Sequence, residues 1–356
     1  MKKICFVSYT NLYLVPYIKN YIACLEGTCD VIVWNRHDVK DYFDKCNIIE
    51  YSKVIKDNQS SKLKKIKAYL GYTRFVRQHI SNNKYDVIIF LQSVGALFCT
   101  DMLLRKYKSR YIIDVRDYSI EGNMILKKIE GILFDYSCLN VISSKGYCHF
   151  LPKNKTYQLV HNYFEIDPTD IKDFKIREKP KIPIRLSYIG LIRFHNQNKK
   201  IIDLFSNDER FIVSFIGKNA NELSDYISKK SSKNIILIDQ FSPEETLKFY
   251  KRTDAILNVY GNNTPLLDYA LSNKLYYAAT LNIPIIVSKG TYMEKISLQN
   301  GFGFVLDFED INIKEKLIEY ILNRDMDVFE KKCDIFMKNV SVINADFSKK
   351  IKEIIN

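Results

Sequence analysis

The chain has 356 residues, of which 47% are hydrophobic and 27% are charged. This ordinary globular composition excludes a largely disordered protein, and the length predicts two domains. The formal net charge of +13 favours partners that carry negative charge, such as phosphate-bearing substrates or anionic lipid headgroups. No nucleic-acid-binding motif accompanies the charge, so nucleic acid is not expected as a partner.

The first half of the chain alternates short β-branched runs with helix-like segments. Predicted strands cover Lys3–Ser8, Asp30–Trp34, Asp86–Leu91, Arg110–Val115, Cys138–Ile142 and Thr156–Val160. Predicted helices cover Leu14–Leu25, Val94–Tyr107 and Gly122–Phe134. Continuous apolar strands that alternate with helices favour a parallel sheet covered on both faces.

The densest basic run, Lys62–Arg77, predicts a further helix. Its apolar residues follow helical spacing on one broad face: Leu63, Ile66, Tyr69, Leu70, Tyr72 and Val76. A basic, aromatic amphipathic helix of this kind can lie on an anionic membrane surface. The alternative is a solvated helix that packs on its own domain.

A polar segment with several prolines, residues 166–183, is the predicted linker. It separates an N-terminal domain at 1–165 from a C-terminal domain at 184–340. Residues 341–356 are predicted to form a C-terminal helix. One arrangement is that this helix packs back on the N-terminal domain.

A second strand–helix series follows the linker. Its predicted strands are Ile184–Ile189, Phe211–Ile216, Ile235–Ile238, Ala255–Tyr260, Ile283–Val287 and Phe302–Leu306. Its predicted helices are Glu222–Lys230, Glu244–Lys251, Asn273–Thr280, Ile313–Asn323 and Phe347–Ile355. Open α/β sheets bind ligands beyond the carboxyl ends of their strands, so the residues just after each strand are the candidates for a site.

Two loops of the second half combine glycine with cations. Gly190 follows the first strand, where it lets the backbone approach a ligand, and Arg193 and Lys199 supply charge for a diphosphate. Gly217 and Lys218 repeat the arrangement one unit later.

Two more strand-end loops complete this set. Phe241 follows the third strand, in a loop that can contact a nucleobase. Ser272 is the predicted N-cap of a helix that begins with Asn273 and Lys274, and a helix N-terminus is a ready anion site. Together the four loops predict a nucleotide-binding domain.

These residues resemble the donor domain of GT-B glycosyltransferases, especially the retaining glycosyltransferase family 4, which includes many capsule and lipopolysaccharide enzymes. Gly190, Arg193 and Lys199 resemble its Gly-Arg…Lys phosphate-binding element. Lys274–Pro284 resembles its Lys-Leu-x-Glu-Tyr-Met-Ala-x-Gly-x-Pro helix, and the segment around Glu294 resembles its closing segment. The resemblance covers nearly the whole chain.

One departure from the family pattern concerns the donor ribose. Tyr277 stands where the family has the second glutamate of its paired motif, and Tyr269 stands at the first. Asp268, Tyr277 and the backbone amides of Gly261–Leu266 are candidates to replace them. The alternative is a donor bound in a variant pose.

The resemblance implies an α/β fold of two Rossmann-like doubly wound domains that face each other across a cleft. It implies transfer of a sugar from a nucleotide sugar, with a UDP-sugar the first candidate, to a polysaccharide-repeat or glycolipid acceptor with retention. No cofactor is expected, because the nucleotide sugar is a substrate, and Arg193 would stabilise the departing diphosphate. The alternatives are a catalytically degenerate subunit or scaffold, an inverting transferase and another GT-B activity such as an epimerase.

In the N-terminal half, Arg116 and Asp117 follow a strand, where the family often carries a His-Asp or Arg-Asp pair near the transferred sugar. Both are therefore candidate catalytic residues, and a structural Arg–Asp pair is the alternative. Tyr9, Thr10 and Asn11 follow the first strand and are the predicted acceptor contacts.

Neither metal binding nor disulfide formation is expected. The histidines lack ligand spacing, and the eight cysteines form no Cys-x-x-Cys pair. No segment offers the roughly 18 apolar residues of a transmembrane helix, and the start of the chain lacks a signal-peptide pattern. We therefore expect a cytoplasmic protein whose membrane contact is at most peripheral, at the inner face of the cell membrane.

Overall fold

The computed structural model describes residues 2–40, 42–54, 61–119, 121–163, 166, 171, 174 and 179–356. The chain divides into two compact units, Met1–His161 with Val342–Asn356, and Asn162–Ser341. Most of the predicted linker, residues 166–183, lies outside the described residues.

The first unit is built on seven parallel strands in the order β3-β2-β1-β4-β5-β6-β7. The strands are β1 Ile4–Ser8, β2 Cys29–Asn35, β3 Cys46–Ser52, β4 Val87–Phe90, β5 Tyr111–Val115, β6 Leu139–Ile142 and β7 Gln158–Leu159. Strands β1, β4 and β5 are buried along their whole length, as expected of a parallel sheet covered on both faces.

Strand β3 was not predicted. It lies at the edge of the sheet and pairs with β2 over its whole length, from Cys29 opposite Cys46 to Asn35 opposite Ser52. Its residues are only partly buried and alternate with exposed ones. Because an edge strand needs no continuous apolar run, the pattern that marks the central strands is missing here.

The helices of the first unit differ in places from the prediction. They are α1 Ile18–Ile22, α2 Lys62–Asn83, α3 Ser93–Phe98, α4 Thr100–Lys106 and α5 Met124–Tyr136. The predicted helix Leu14–Leu25 is present only as the short α1, because Pro16 separates α1 from a 3₁₀ turn, Leu12–Leu14. The predicted helix Val94–Tyr107 is broken at Cys99, where the Thr100 hydroxyl donates to the Leu97 carbonyl at 2.7 Å.

The second unit holds six parallel strands in the order β10-β9-β8-β11-β12-β13. They are β8 Ile184–Ile189, β9 Phe211–Ile216, β10 Ile235–Ile238, β11 Ala255–Asn258, β12 Ile285–Ser288 and β13 Gly303–Leu306. This is the doubly wound order, and it reverses between β8 and β11 as it does between β1 and β4 in the first unit. The prediction of two doubly wound parallel α/β domains is confirmed.

The second unit's helices lie between these strands and after them. They are α6 His195–Phe205, α7 Ser224–Lys229, α8 Thr246–Lys251, α9 Pro265–Tyr269, α10 Asn273–Thr280, α11 Tyr292–Gln299 and α12 Ile313–Leu322. Ser272 caps α10 as predicted, because its side chain accepts from the Lys274 amide.

The last helix, α13, runs from Met326 to Ile355 and belongs to both units. Its first half buries Phe329, Cys333, Phe336 and Val340 in the second unit's core. Its second half buries Phe347, Ile351 and Ile355 in the core of the first. The predicted closing helix Phe347–Ile355 is thus the end of a longer one. None of the helices in the described ranges is long and apolar enough to cross a membrane.

Candidate functional site

A buried lysine lies at the point where the strand order of the second unit reverses. Lys274, at the start of α10, is only 9% exposed. Its Nζ donates to the Tyr260 hydroxyl at 2.7 Å and lies 4.6 Å from the centroid of the Tyr188 ring. Tyr188 is in β8 and Tyr260 follows β11, so the ammonium lies at the crevice where doubly wound sheets bind ligands.

Two glycines bring the backbone close to this ammonium. Gly190 has φ +119°, and a Cβ built there would lie 3.6 Å from Lys274 Nζ. Gly217 has φ +133°, and a Cβ there would lie 2.1 Å from the Gly190 carbonyl oxygen. The ends of β8 and β9 therefore approach each other in a way that only glycine permits at Gly217. The structure brings together three residues of the predicted set, Gly190, Gly217 and Lys274.

The electrostatics of the lysine–tyrosine pair are unusual for a buried phenol. Burial raises the pKa of Tyr260, but the charge of Lys274 and hydrogen bonds with Lys274, Ser272 and Tyr188 together hold the pKa below its ordinary value. An ammonium carries three donors. One is directed at Tyr260, so this buried cation is suited to hold an anionic oxygen beside Gly190.

The other predicted cations lie apart from Lys274. Arg193 is exposed, and its guanidinium lies 5.4 Å from the ring of Phe194, which packs on Tyr260 at 4.9 Å. Lys199 is in α6, and its Nζ lies 5.2 Å from the Tyr226 ring. Lys218 is exposed just after Gly217. Arg193 therefore adjoins the site through Phe194, whereas Lys199 is directed toward Tyr226.

The predicted base and ribose contacts lie among aromatic rings. Phe241 packs edge-on against Phe249 at 5.1 Å, and Tyr277 stacks on Tyr250 at 4.9 Å. Tyr277 also lines a small cavity of about 40 Å³ with Asn162 and Asn273. The Asn162 amide donates to Asn273 Oδ1 at 2.8 Å, which fixes the first residue of α10.

The carboxylates of Glu294 and Asp268 each accept a hydrogen bond from a backbone amide of a nearby loop. The amide of Gly290 donates to Glu294 Oε2 at 2.5 Å, and the amide of Glu294 donates to Thr291 Oγ1, which caps α11. The Asp268 carboxylate accepts from the Asn263 amide at 2.8 Å. These contacts position the loops after β11 and β12.

In the first unit, Arg116 is paired within the protein. Its guanidinium makes a two-bond ion pair with Asp114, at 2.6 and 2.7 Å, and lies 4.1 Å from the centroid of the Tyr17 ring. Tyr21 donates to the same carboxylate at 2.7 Å. Burial raises the pKa of Asp114, and Arg116 offsets only part of that rise. Arg116 thus forms a buried ion pair with Asp114, as the alternative of a structural Arg–Asp pair predicts. Asp117 is exposed after the end of β5.

Two of the three predicted acceptor contacts, Tyr9 and Asn11, are buried and make hydrogen bonds within the first unit. Tyr9 is 3% exposed, and its hydroxyl lies 3.1 Å from Thr73 Oγ1. Asn11 is buried, donates to Asn35 Oδ1 at 2.9 Å and accepts from the Arg36 amide. Thr10 is half-buried between them. Tyr9 and Asn11 therefore position the loop after β1.

Tyr188 and Tyr260 were not among the predicted site residues. Their only signal in the sequence is their place at strand ends, and the chain has 25 tyrosines. A buried acid, Glu130, was also missed, although an acidic residue on the apolar face of α5 was a visible signal. Within the described ranges, no group of three or more His, Cys, Asp or Glu residues could hold a metal ion.

Comparison with known proteins rests on structure alone, because no protein-family model and no curated protein matches the sequence. HepE from Anabaena in complex with UDP superposes with a TM-score of 0.69 at 11% identity, covering 99% of this chain and 100% of that one. The lipopolysaccharide outer core galactosyltransferase WaaB gives 0.66 at 16% identity, covering 98% and 99%. Sucrose-phosphate synthase from Thermosynechococcus elongatus gives 0.64 at 10% identity, covering 100% and 95%. The fold is that of the GT-B glycosyltransferases, as the resemblance in sequence implied.

Proposed function

We propose that the protein is a glycosyltransferase that moves a sugar from a nucleotide sugar, a UDP-sugar as the first candidate, to a polysaccharide-repeat or glycolipid acceptor. The GT-B fold supports this proposal, because similar structures include a named galactosyltransferase and a complex with UDP. Retention, independence of metal and membership of glycosyltransferase family 4 are part of the proposal and rest on the sequence motifs.

The observation that carries the proposal is the buried Lys274 beside Gly190 at the strand-order reversal. A diphosphate placed there would meet the ammonium, the amide end of α10 and, from the exposed side, Arg193. As the bond to the sugar breaks, negative charge grows on the departing diphosphate. Fixed positive charge that already faces this position lowers the barrier without a metal ion.

The proposal also places the protein at the cytoplasmic face of a membrane. The basic helix α2 carries lysines and arginines and no acidic residue. It exposes Leu63, Ile66 and Leu70, which are 71%, 55% and 54% accessible. Such a face is suited to peripheral contact with anionic lipid.

Nucleotide binding tests the proposal directly. Thermal shift and calorimetry with UDP, other nucleoside diphosphates and nucleotide sugars should show stabilisation by at least one nucleotide. Lys274→Ala should weaken that binding at least 10-fold, because it removes the buried charge. Lys316→Ala is the matched control: it removes one exposed lysine of the same unit, which pairs with Asp310, and should bind like the wild type.

The other possible outcomes of these experiments distinguish a transferase from a catalytically degenerate scaffold. Release of the nucleotide only when an acceptor is present supports a transferase. The absence of stabilisation by any nucleotide would refute the donor site and favour a catalytically degenerate scaffold, for which Tyr277 at the ribose position is the relevant departure. Nucleotide binding with equal affinity in Lys274→Ala would refute the phosphate assignment.

A further inference from the structure

An apolar trough crosses one surface of the first unit, between α2, α3 and α5. It consists of two adjoining cavities of about 600 and 380 Å³, which share Val94 and Phe98 as walls. Ile66, Tyr69 and Leu70 of α2 line the larger cavity. Leu126, Ile129 and Ile132 of α5 line the smaller one, with Leu97 and Leu104.

The trough is concave as well as apolar. Ile66 and Leu70 are 55% and 54% exposed at its rim, whereas Tyr69 is half-buried and packs edge-on against Trp34 at 5.0 Å. Single exposed apolar side chains are common on protein surfaces, but a concave apolar surface with walls from α2, α3, α4 and α5 is typical of a binding surface. A flat bilayer cannot fill a concave volume, whereas a single hydrocarbon chain can.

Cations border this trough. Lys65 lines the larger cavity, and Lys64 and Lys67 are exposed on the same helix, α2. The combination of an apolar channel and a basic border is complementary to a molecule with a long hydrocarbon chain and an anionic head.

The trough also ends at the edge of the sheet where a substrate is expected. Ser119 lines the larger cavity and is two residues from Asp117 in the loop that follows β5. A chain that lies in the trough would therefore place its head group next to the carboxyl ends of the strands, where doubly wound sheets bind ligands.

We propose that the trough holds the hydrocarbon chain of a lipid-linked acceptor whose head group carries phosphate. This inference rests on the proposed function and makes it more specific, because it selects a lipid-linked acceptor over a soluble glycan. The chain is buried between α2, α3 and α5, and the phosphate lies among the lysines of the border.

The test uses soluble probes on the full chain: farnesyl phosphate below its aggregation threshold, farnesol and inorganic phosphate, measured by calorimetry. We expect farnesyl phosphate to bind, farnesol to bind at least 5-fold more weakly, and inorganic phosphate not to bind detectably. The double variant Ile66→Glu/Leu70→Glu should lose farnesyl phosphate at least 10-fold. Both side chains are more than half exposed, so the fold should survive, and an unchanged melting temperature checks this.

Val342→Glu is the control. Val342 is 62% exposed in the part of α13 that belongs to the first unit and is not a wall of either cavity, so this variant should bind farnesyl phosphate like the wild type. Equal losses in Val342→Glu and in the double variant would mean general adsorption to the protein surface and would overturn the proposal. So would wild-type protein that binds none of the three probes. UDP binding, measured on the same samples, tests the donor site independently, so failure of one proposal is distinguishable from failure of the other.

Discussion

At the scale of single residues, the site depends on how Lys274 is held. A lysine with a long flexible side chain loses rotamer freedom when it is buried. Here the Tyr260 hydroxyl and the Tyr188 ring fix the ammonium over Gly190. The tyrosines therefore act through the lysine, as positioning residues.

Tyr260→Phe tests this positioning. The substitution keeps the ring and removes one hydrogen bond to a charged group, a loss of about 1.5–3 kcal/mol. We expect the melting temperature to fall by several degrees and UDP affinity, measured by calorimetry well below the transition, to fall by roughly 10-fold or more. Tyr226→Phe, which removes a hydroxyl bonded to Asp203 in the same unit, should leave UDP affinity unchanged. Equal affinities in the two variants would contradict the role of Tyr260.

Glu130 gives a second prediction at this scale. Burial, reinforced by the charge of Glu121 and only partly offset by Ser93 and Lys127, raises the pKa of Glu130 to about 8. Below about pH 8 the folded protein thus favours the protonated acid, while the unfolded chain ionises near its ordinary pKa of about 4.3. Stability should be full below that value and should fall as the pH rises toward 8.

Glu130→Gln should remove that dependence. Urea unfolding of wild type and variant at pH 5 and pH 8 should show the variant gaining on the order of a few kcal/mol relative to the wild type at the higher pH. A difference between the two proteins that does not change with pH would show that Glu130 is ionised in the folded state.

Sequence reasoning found Gly190, Gly217 and Lys274 because glycine and cation follow one strand end after another, and the ordered set is informative although each signal alone is weak. It missed Tyr260, because a tyrosine at the end of an apolar strand is ordinary until its partner is known. It could not identify the partner of Arg116 for a related reason: nothing in the sequence distinguishes pairing with Asp114 from pairing with Asp117. Contacts of this kind depend on side-chain direction, which spacing along the chain does not determine.

At the scale of elements, the ends of β8 and β9 approach each other closely in the second unit. A methyl group at Gly217 would lie 2.1 Å from the carbonyl oxygen of Gly190, so one of the two strand ends would have to move.

Gly217→Ala should therefore destabilise the protein by about 1–3 kcal/mol or more and abolish UDP binding, as measured by thermal unfolding and calorimetry. Gly131→Ala is the control. It is in the middle of α5, and the nearest atom to its added methyl group is 3.5 Å away, so it should be neutral or stabilising by up to about 1 kcal/mol. A Gly217→Ala protein with wild-type stability would contradict the close approach.

The central strands were predictable because a doubly covered parallel strand must be continuously apolar. The edge strand β3, the break at Cys99 and the full length of α13 were not. Each depends on something that the local pattern does not contain. Strand β3 has a partner on one side only, and at Cys99 a hydroxyl competes for a helix carbonyl. The two halves of α13 are buried in different cores.

At the scale of the whole molecule, α13 contributes to two hydrophobic cores. Phe347 is fully buried and packs edge-on against Tyr21 at 5.1 Å in the first unit. The same helix buries Phe336 against Phe302 at 5.2 Å in the second. The last residues of the chain are thus part of the first unit's core.

Phe347→Ala should cost about 3–5 kcal/mol of stability, because it opens a cavity in a closely packed core. Urea unfolding measures this cost, and UDP affinity should remain unchanged below the transition, since the nucleotide contacts lie in the second unit. Lys349→Ala, an exposed change two residues away, should be within about 0.5 kcal/mol of the wild type. Equal stability of the two variants would show that the end of α13 does not form part of the core.

The position of the chain's one tryptophan has a practical consequence. Trp34 is fully buried in the first unit, edge-on to Tyr69 at the wall of the trough. Emission excited at the red edge of the protein's absorption therefore comes from this ring alone. It gives the native, unlabelled protein an optical probe that is specific to the first unit, beside the surface where we expect the lipid chain.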